Sequence, residues 1–240
     1  MKLLPGLYQI AGPSCSHSSD ASAYLLPSGE ELFLVDCGTD LGYVQIWDNI
    51  SRLGFDPRRV TRILGTHGHY DHLGAAARWQ RETGAQLYLH RDDTAQVEAG
   101  DDIKTTAAFL YGAVMEAAKV DIPLAEGQAY QTDAGLLKVL HTPGHTIGSC
   151  CLSLDHQCGV RLLIAGDTLY GGFSSLIGSD EILWRQSLDK LKNQHFDYLT
   201  FGHCSPQLLC DADRRIVDLA QSFANYYNPW FKDFFRTYNY

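Results

Sequence analysis

Thr66-His67-Gly68-His69-Tyr70-Asp71-His72-Leu73-Gly74 is the stretch on which the reading of this chain turns. Three imidazoles and a carboxylate fall between His67 and His72, directly after an apolar run, Val60 to Leu64, that reads as a buried strand. Gly74 to Thr83 follows with a helical pattern. A loop from a buried strand into a helix lies at the strand's carboxyl end, where α/β folds present their ligands. In extended backbone, residues two apart point the same way, so His67 and His69 can grip one cation. Asp71 and His72, at the turn into the helix, can reach a second.

Three later segments end in the same chemistry. His141-Thr142-Pro143-Gly144-His145-Thr146 sets a histidine at a Pro-Gly turn between two strands, a rigid loop that projects its side chain. Ile164-Ala165-Gly166-Asp167-Thr168 ends an apolar strand in a carboxylate, and Phe201-Gly202-His203 ends another in an imidazole. The glycine before each permits close backbone approach. His67, His69, Asp71, His72, His145, Asp167 and His203 are nitrogen and oxygen donors with no thiolate among them. Four ligands would saturate a structural zinc, so this larger set implies two divalent cations with open positions, the catalytic pattern. Zinc is the leading reading, with iron or manganese also compatible with the donors.

The flanking sequence alternates short apolar runs with helical segments. Leu7 to Ile10, Ala23 to Leu26, Leu32 to Val35 and Gln86 to Leu89 read as strands, and Tyr43 to Leu53 as a helix. Asp92 to about Lys119 is alanine-rich and helix-favouring but broken by Gly100-Asp101-Asp102, which predicts a helical insertion at 92–119, as two helices or a helix and a lid-like excursion. Strands then resume at Leu136 to Leu140, Cys150 to Leu154 and Arg161 to Ile164, followed by a helix from Asp180 to Lys192, a strand at Tyr198 to Phe201 and a final helix from Asp211. Phe223, Tyr226, Tyr227, Trp230, Phe231, Phe234, Phe235 and Tyr238 are spaced to share one face of an aromatic C-terminal helix. That face is expected to pack on the body, with a homodimer seam or a pocket wall as alternatives. The chain is expected to form a single α/β domain over residues 1–240.

Bulk properties narrow the function classes. A formal charge of −9 and a pI near 5.5 offer no footprint for a phosphate backbone, which removes nucleic acid as an expected partner and leaves a small-molecule substrate. No apolar run approaches the roughly 18 residues of a membrane helix, and the opening Met1-Lys2-Leu3-Leu4-Pro5 is too short for a secretory signal. Seven cysteines without a C-x-x-C pair suggest neither a disulfide framework nor a zinc knuckle. A cytoplasmic setting is therefore expected. Cys37 and Cys204 read as small buried hydrophobes, and His17, His90, His156 and His195 as surface or hydrogen-bonded residues left unassigned, with His17 of slight interest.

This order of motifs resembles the metallo-β-lactamase superfamily: H-x-H-x-D-H at His67 to His72, TPGHT ending at Thr146, GDT at Asp167 and GH at His203. The resemblance covers almost the whole chain and implies a four-layer αβ/βα sandwich with metals at one edge. It places His67, His69 and His145 on one metal, Asp71, His72 and His203 on the other, and Asp167 between both, with a bridging hydroxide as nucleophile. Asp71 would orient that hydroxide and pass a proton to the leaving group. Asp36, in Leu34-Val35-Asp36-Cys37-Gly38, would brace the metal loop without binding metal.

Within the superfamily, lactamases sharing H-x-H-x-D-H lack the bridging aspartate, nucleases act on polyanions, and flavodiiron members carry a glutamate not seen here. The motifs look most like glyoxalase II and its relatives. Where glyoxalase II proper holds glutathione, however, this chain reads Leu169-Tyr170-Gly171-Gly172-Phe173, and 37 residues follow His203 where that family carries a long helical domain. Tyr170 matches the place where acyl-homoserine lactonases have a tyrosine touching the substrate carbonyl, so its phenol is a candidate oxyanion donor. The resulting reading is a hydrolase of an ester, lactone or thioester. Its alternatives are a glutathione thioester hydrolase of glyoxalase II type, a mononuclear iron persulfide dioxygenase, or a binding protein that retains the fold.

Overall fold

Two sheets face each other in the structure, a computed structural model that describes residues 1–170, 173–203, 208–224 and 231–232. The first half contains β1 (Lys2–Leu4), β2 (Leu7–Gln9), β3 (Tyr24–Ser28), β4 (Glu31–Val35), α1 (Tyr43–Arg52), β5 (Val60–Leu64), α2 (Tyr70–Leu73), α3 (Ala76–Thr83), β6 (Gln86–His90), α4 (Arg91–Glu98), α5 (Ala107–Tyr111) and β7 (Ile122–Leu124). Its strands lie in sequence order in one sheet, antiparallel from β1 to β4 and parallel from β4 to β7. The second half contains β8 (Ala129–Thr132), β9 (Gly135–His141), β10 (Cys150–His156), β11 (Arg161–Ile164), β12 (Phe173–Ser174), α6 (Glu181–Lys192), β13 (Tyr198–Thr200), β14 (Leu209–Cys210), α7 (Ala212–Ala224) and β15 (Phe231–Lys232). Here the sheet order is β14-β13-β11-β10-β9-β8, with β11 and β13 parallel; β12 and β15 pair separately.

Period-two alternation along the strands sorts the interior into layers. In β4, Phe33 and Val35 face the second sheet while Leu32 and Leu34 face the helices, where they meet Tyr43, Ile46 and Ile50 of α1 and Trp79 of α3. In β10 and β11, Cys150, Leu152, Leu162 and Ile164 fill the space between the sheets, while Cys151 and Leu163 pack outward on Trp184 and Leu188 of α6 and Ile216 of α7. Helices thus cover both outer faces, and the architecture is the four-layer αβ/βα sandwich expected. Both faces of the central strands are buried, which is why they read as continuous apolar runs.

Helix boundaries follow local chemistry. Asp180 caps α6 by accepting from Leu183 N at 2.9 Å, and Lys190 and Lys192 occupy the last turn, where the dipole favours cations. The segment from Asp92 to Lys119 is helical only in α4 and α5. Left-handed backbone at Gly100 (φ 59) and Thr106 (φ 68) interrupts it, and Met115 and Ala118 turn inward to the core. No helix among the described residues is long and apolar enough to cross a membrane.

The expected aromatic helical face needs correction at Phe231. This residue lies in β15, whose backbone pairs in parallel with that of Phe173, and is not helical. Phe223 lies in α7, described to Ala224. Tyr226, Tyr227, Trp230, Phe234, Phe235 and Tyr238 fall outside the described residues, as does Cys204.

Candidate metal centre

The ends of strands from both sheets supply the site. His67 and His69 leave the carboxyl end of β5, and α2 begins at once, so Asp71 and His72 lie in its single turn. His145 comes from the loop between β9 and β10, Asp167 follows β11, and His203 follows β13. Residues separated by more than a hundred positions therefore converge at one edge of the sandwich. All are buried except His203, whose side chain is 24% exposed and marks the open side.

Their ligand atoms fall into overlapping groups. His67 Nε2 lies 3.0 Å from His69 Nδ1, which lies 3.0 Å from His145 Nε2. His203 Nε2 lies 3.1 Å from Asp71 Oδ2 and 3.0 Å from Asp167 Oδ2, and His72 Nε2 lies 3.3 Å from Asp167 Oδ1 and 3.5 Å from Asp71 Oδ2. Asp167 Oδ2 also approaches His145 Nε2 at 3.5 Å, so this carboxylate touches both groups. The sets His67/His69/His145, His67/His72/Asp167 and Asp71/His72/His203 each keep their ligand atoms within 4.8 Å of one another.

The two halves differ electrostatically. Burial, and then the charge each would share with its neighbours, pushes His67 and His69 well below the ordinary imidazole value; burial likewise lowers His145. These imidazoles are therefore neutral, the form that ligates. Burial opposes charge on His72 and His203 too, but the carboxylates outweigh it. Asp71, Asp167 and Asp36 raise His72 to about 10, and Asp167 and Asp71 raise His203 to about 12. Asp71, which burial alone would raise, is drawn down to about 2 by His72 and His203, and Asp167 is held well below the carboxylate range.

This donor set fits divalent cations. Ligand atoms about 2.0 Å from a tetrahedral cation stand about 3.3 Å apart, and the separations above lie near that value. His72 Nε2 and Asp167 Oδ1 are buried without a hydrogen bond although they face each other, an arrangement that is costly unless a positive centre lies between them. Gly202 has no side chain where one would intrude, since a Cβ there would stand 2.0 Å from Asp167 Oδ1.

Around the donors runs a layer of braces. Asp36, with a left-handed φ of 56, accepts from Thr66 N at 2.7 Å and Thr66 Oγ1 at 2.8 Å, and its Oδ2 lies 2.8 Å from His72 Nδ1. Sequence reasoning missed Asp93. From the first turn of α4 this buried carboxylate accepts from Gly68 N at 2.8 Å, Thr146 Oγ1 at 2.7 Å and Gly148 N at 3.0 Å, tying the His67–His69 loop to the His145 loop. A Cβ on Gly148 would stand 2.6 Å from Asp93 Cγ, so the glycine is what lets the carboxylate in. The one local signal was an acidic residue at a helix start, which by itself reads as dipole compensation.

The ring of Tyr111 in α5 lies 5.5 Å from that of Tyr70, the residue before Asp71. Tyr170 is 55% exposed, with its ring centroid 4.8 Å from that of His203 at the open side. His17 stays outside the cluster, its Nδ1 accepting from Ser19 N within its own loop. His90 stacks on His141, His156 pairs with Pro5 O and Cys158, and His195 pairs with Asp213. Cys37 is fully buried, and burial pushes its thiol up.

Comparisons with known proteins agree with this geometry. An uncharacterized protein of Aquifex aeolicus is 36% identical over 114 residues, 48% of this chain and 51% of that protein. A protein of Methanocaldococcus jannaschii named "probable metallo-hydrolase" is 27% identical over 190 residues, 76% of this chain and 87% of the other. A hydroxyacylglutathione hydrolase of Anaeromyxobacter dehalogenans is 30% identical over 154 residues, 64% of this chain and 48% of that enzyme, so the chain matches about half the length of two of these relatives. Among solved structures, a subclass B3 metallo-β-lactamase of Bradyrhizobium japonicum superimposes with a TM-score of 0.74 over 93% of this chain and 90% of the other, at 23% identity, a likeness of fold. The model of the metallo-beta-lactamase superfamily matches residues 19–203, a span that reaches from the Asp20 loop to the last imidazole of the cluster, and the chain belongs to that superfamily.

Proposed function

We propose that this protein is a metal-dependent hydrolase that cleaves an ester, lactone or thioester bond of a small molecule. The observation that carries the reading is the juxtaposition of a neutral triad, His67, His69 and His145, with a charged group, Asp71, His72 and His203, both reached by Asp167. A structural site would need only one such group, buried on all sides, whereas this one opens at His203. Two divalent cations, zinc by our reading of the donors, would polarise a carbonyl and bring the pKa of a water towards neutrality.

The remaining steps belong to the chain's own residues. Asp36 holds the Nδ1 side of His72, which turns Nε2 inward. Asp71, ionised and beside His203, can take a proton at Oδ2 and deliver it to the departing oxygen or sulfur. Tyr170, at the rim beside His203, can donate its phenol hydrogen to the carbonyl oxygen as charge develops there. The likeness to a hydroxyacylglutathione hydrolase supports the thioester member of the three bond types.

The test is quantification of bound metals together with turnover of an ester, lactone and thioester panel by the metal-loaded protein. Two cations per chain with hydrolysis of at least one member is expected. Metal-loaded protein inert to the whole panel would remove the reading, and one iron per chain with oxygen uptake would replace it with the dioxygenase.

A further inference from the structure

His141 opens the segment that carries His145, yet the metal centre makes no use of it. Its ring stacks on that of His90, with centroids 3.9 Å apart and planes 11° from parallel. Asp92 stands beside them, its Oδ2 3.5 Å from His90 Nδ1. The ligand atoms of His90, Asp92 and His141, one from each, lie within 4.8 Å of one another. His90 ends β6 of the first sheet and His141 ends β9 of the second, so the group forms across the seam between the two sheets.

The surroundings leave each side chain with a lone pair to offer. His141 Nε2 lies 2.9 Å from Ile147 O, and because a carbonyl only accepts, this nitrogen carries the hydrogen and Nδ1 keeps the lone pair. His90 Nδ1 accepts from Asp92 N at 3.4 Å, a weak bond that a cation can displace, and so carries its hydrogen on Nε2. Burial, and then the charge His141 would carry, holds His90 below the ordinary imidazole value, in the neutral form that ligates. Asp92 divides its oxygens, Oδ1 standing 3.6 Å from Nε of the exposed Arg91 and Oδ2 facing His90. The backbone of His141 is pinned on both sides: its N–H donates to Glu126 Oε2 at 2.6 Å and its carbonyl accepts from Lys190 Nζ at 2.8 Å. Lys190 also meets Glu126 Oε2 at 2.7 Å, which balances its charge.

We propose that His90, Asp92 and His141 form a second metal site, separate from the hydrolytic centre, for one divalent transition-metal cation. Two imidazole nitrogens and a carboxylate oxygen suit zinc, and also nickel or cobalt. Donors on one tetrahedral cation stand about 3.3 Å apart, so rings stacked at 3.9 Å need little movement to share one. Three protein ligands leave a position to water, and the partly exposed Asp92 makes the cation exchangeable, unlike those of the centre. Asp92 precedes Asp93, the tie between the His67–His69 loop and the His145 loop, and His141 shares its loop with His145. A cation here clamps the segments that hold the triad, and the fold gains stability when zinc is in excess. The site stands or falls apart from the hydrolase reading.

Zinc alone is the probe. Protein saturated with zinc and passed through gel filtration keeps its tight cations, and zinc is then titrated in by calorimetry. Wild type should bind one further zinc per chain. Asp92→Asn should weaken that step at least about tenfold and His141→Gln should abolish it, with the tight cations retained in both. Excess zinc should raise the melting temperature of wild type and not that of His141→Gln. His195→Gln, which removes an imidazole paired with Asp213 elsewhere on the surface, should behave as wild type. No further zinc on wild type, a further step that survives both Asp92→Asn and His141→Gln, or one lost equally in His195→Gln overturns the proposal. Protein that keeps no tight cations but binds one zinc that His141→Gln removes would sink the hydrolytic centre and leave this site in place.

Discussion

Asp36 Oδ2 and His72 Nδ1 lie 2.8 Å apart with neither side chain open to solvent. The contact determines which nitrogen of His72 faces the cluster, because a ring that gives its Nδ1 hydrogen to a carboxylate has only Nε2 left to ligate. Asp36→Asn keeps the shape but removes the charge. Zinc affinity at the Asp71/His72/His203 group should fall about 10- to 100-fold, measured by competition with a chromogenic chelator. Unchanged affinity would make Asp36 a fold residue only.

Asp71→Ala should cost at least about 100-fold in kcat, since it removes a donor and the proton carrier together. Metal analysis should still find about one cation, because the imidazole triad is untouched. Wild-type turnover would take Asp71 out of the mechanism.

Asp93 joins the two loops that carry the triad, so Asp93→Ala leaves the amides of Gly68 and Gly148 and the Thr146 hydroxyl buried without their acceptor. Urea unfolding should show a loss of about 2–4 kcal/mol, with weaker zinc binding at the triad. Asparagine should not rescue it, since its amide hydrogens would face donors on either side. Stability within about 0.5 kcal/mol of wild type would show that the loops hold without the tie.

Tyr170→Phe should lower kcat about tenfold at constant metal content if the phenol meets the developing oxyanion. An unchanged rate would return Tyr170 to the rim as a surface ring.

The chelated protein should have a bell-shaped stability profile. His72 is raised from 6.5 to about 10, so the folded chain holds that proton more tightly than the unfolded one. Its contribution is complete below pH 6.5 and is lost as pH rises through about 10. Asp71 is lowered from 3.8 to about 2, and its contribution is present above 3.8 and lost as pH falls through about 2. Below pH 6.5 the unfolded chain protonates His67, His69 and His145, which the folded chain holds neutral, so calorimetry after chelation should show the melting temperature declining both below about pH 6.5 and as pH rises from there towards 10. Zinc binding near pH 7 should release protons from His72 and His203, which titration calorimetry in buffers of different ionisation enthalpy would detect. A melting temperature flat from pH 6.5 to 10 would contradict the assignment.

Much of this was legible in residue order. The runs at Val60 to Leu64 and Arg161 to Ile164 are the strands β5 and β11, and the expected helix from Asp180 begins after that residue because its side chain caps Leu183 N. Such features depend on neighbours within a few positions. The excursion was read less well: its alanines favour helix, but the tertiary contacts of Met115 and Ala118 and the turns at Gly100 and Thr106 overrode propensity. Phe231 went from an expected helix to a strand because Phe173 offered it a backbone partner.

The donor types, their spacing around tight loops and the two periodicities of strand and helix were determined by the sequence alone, because chemistry and repeat are properties of the chain itself. Only the tertiary structure decided that Asp93 would span loops 25 and 53 residues away. Those contacts form between segments whose separation in the sequence carries no information about their meeting. A hydrogen bond between them exists only once the packing of both sheets has fixed where each loop ends.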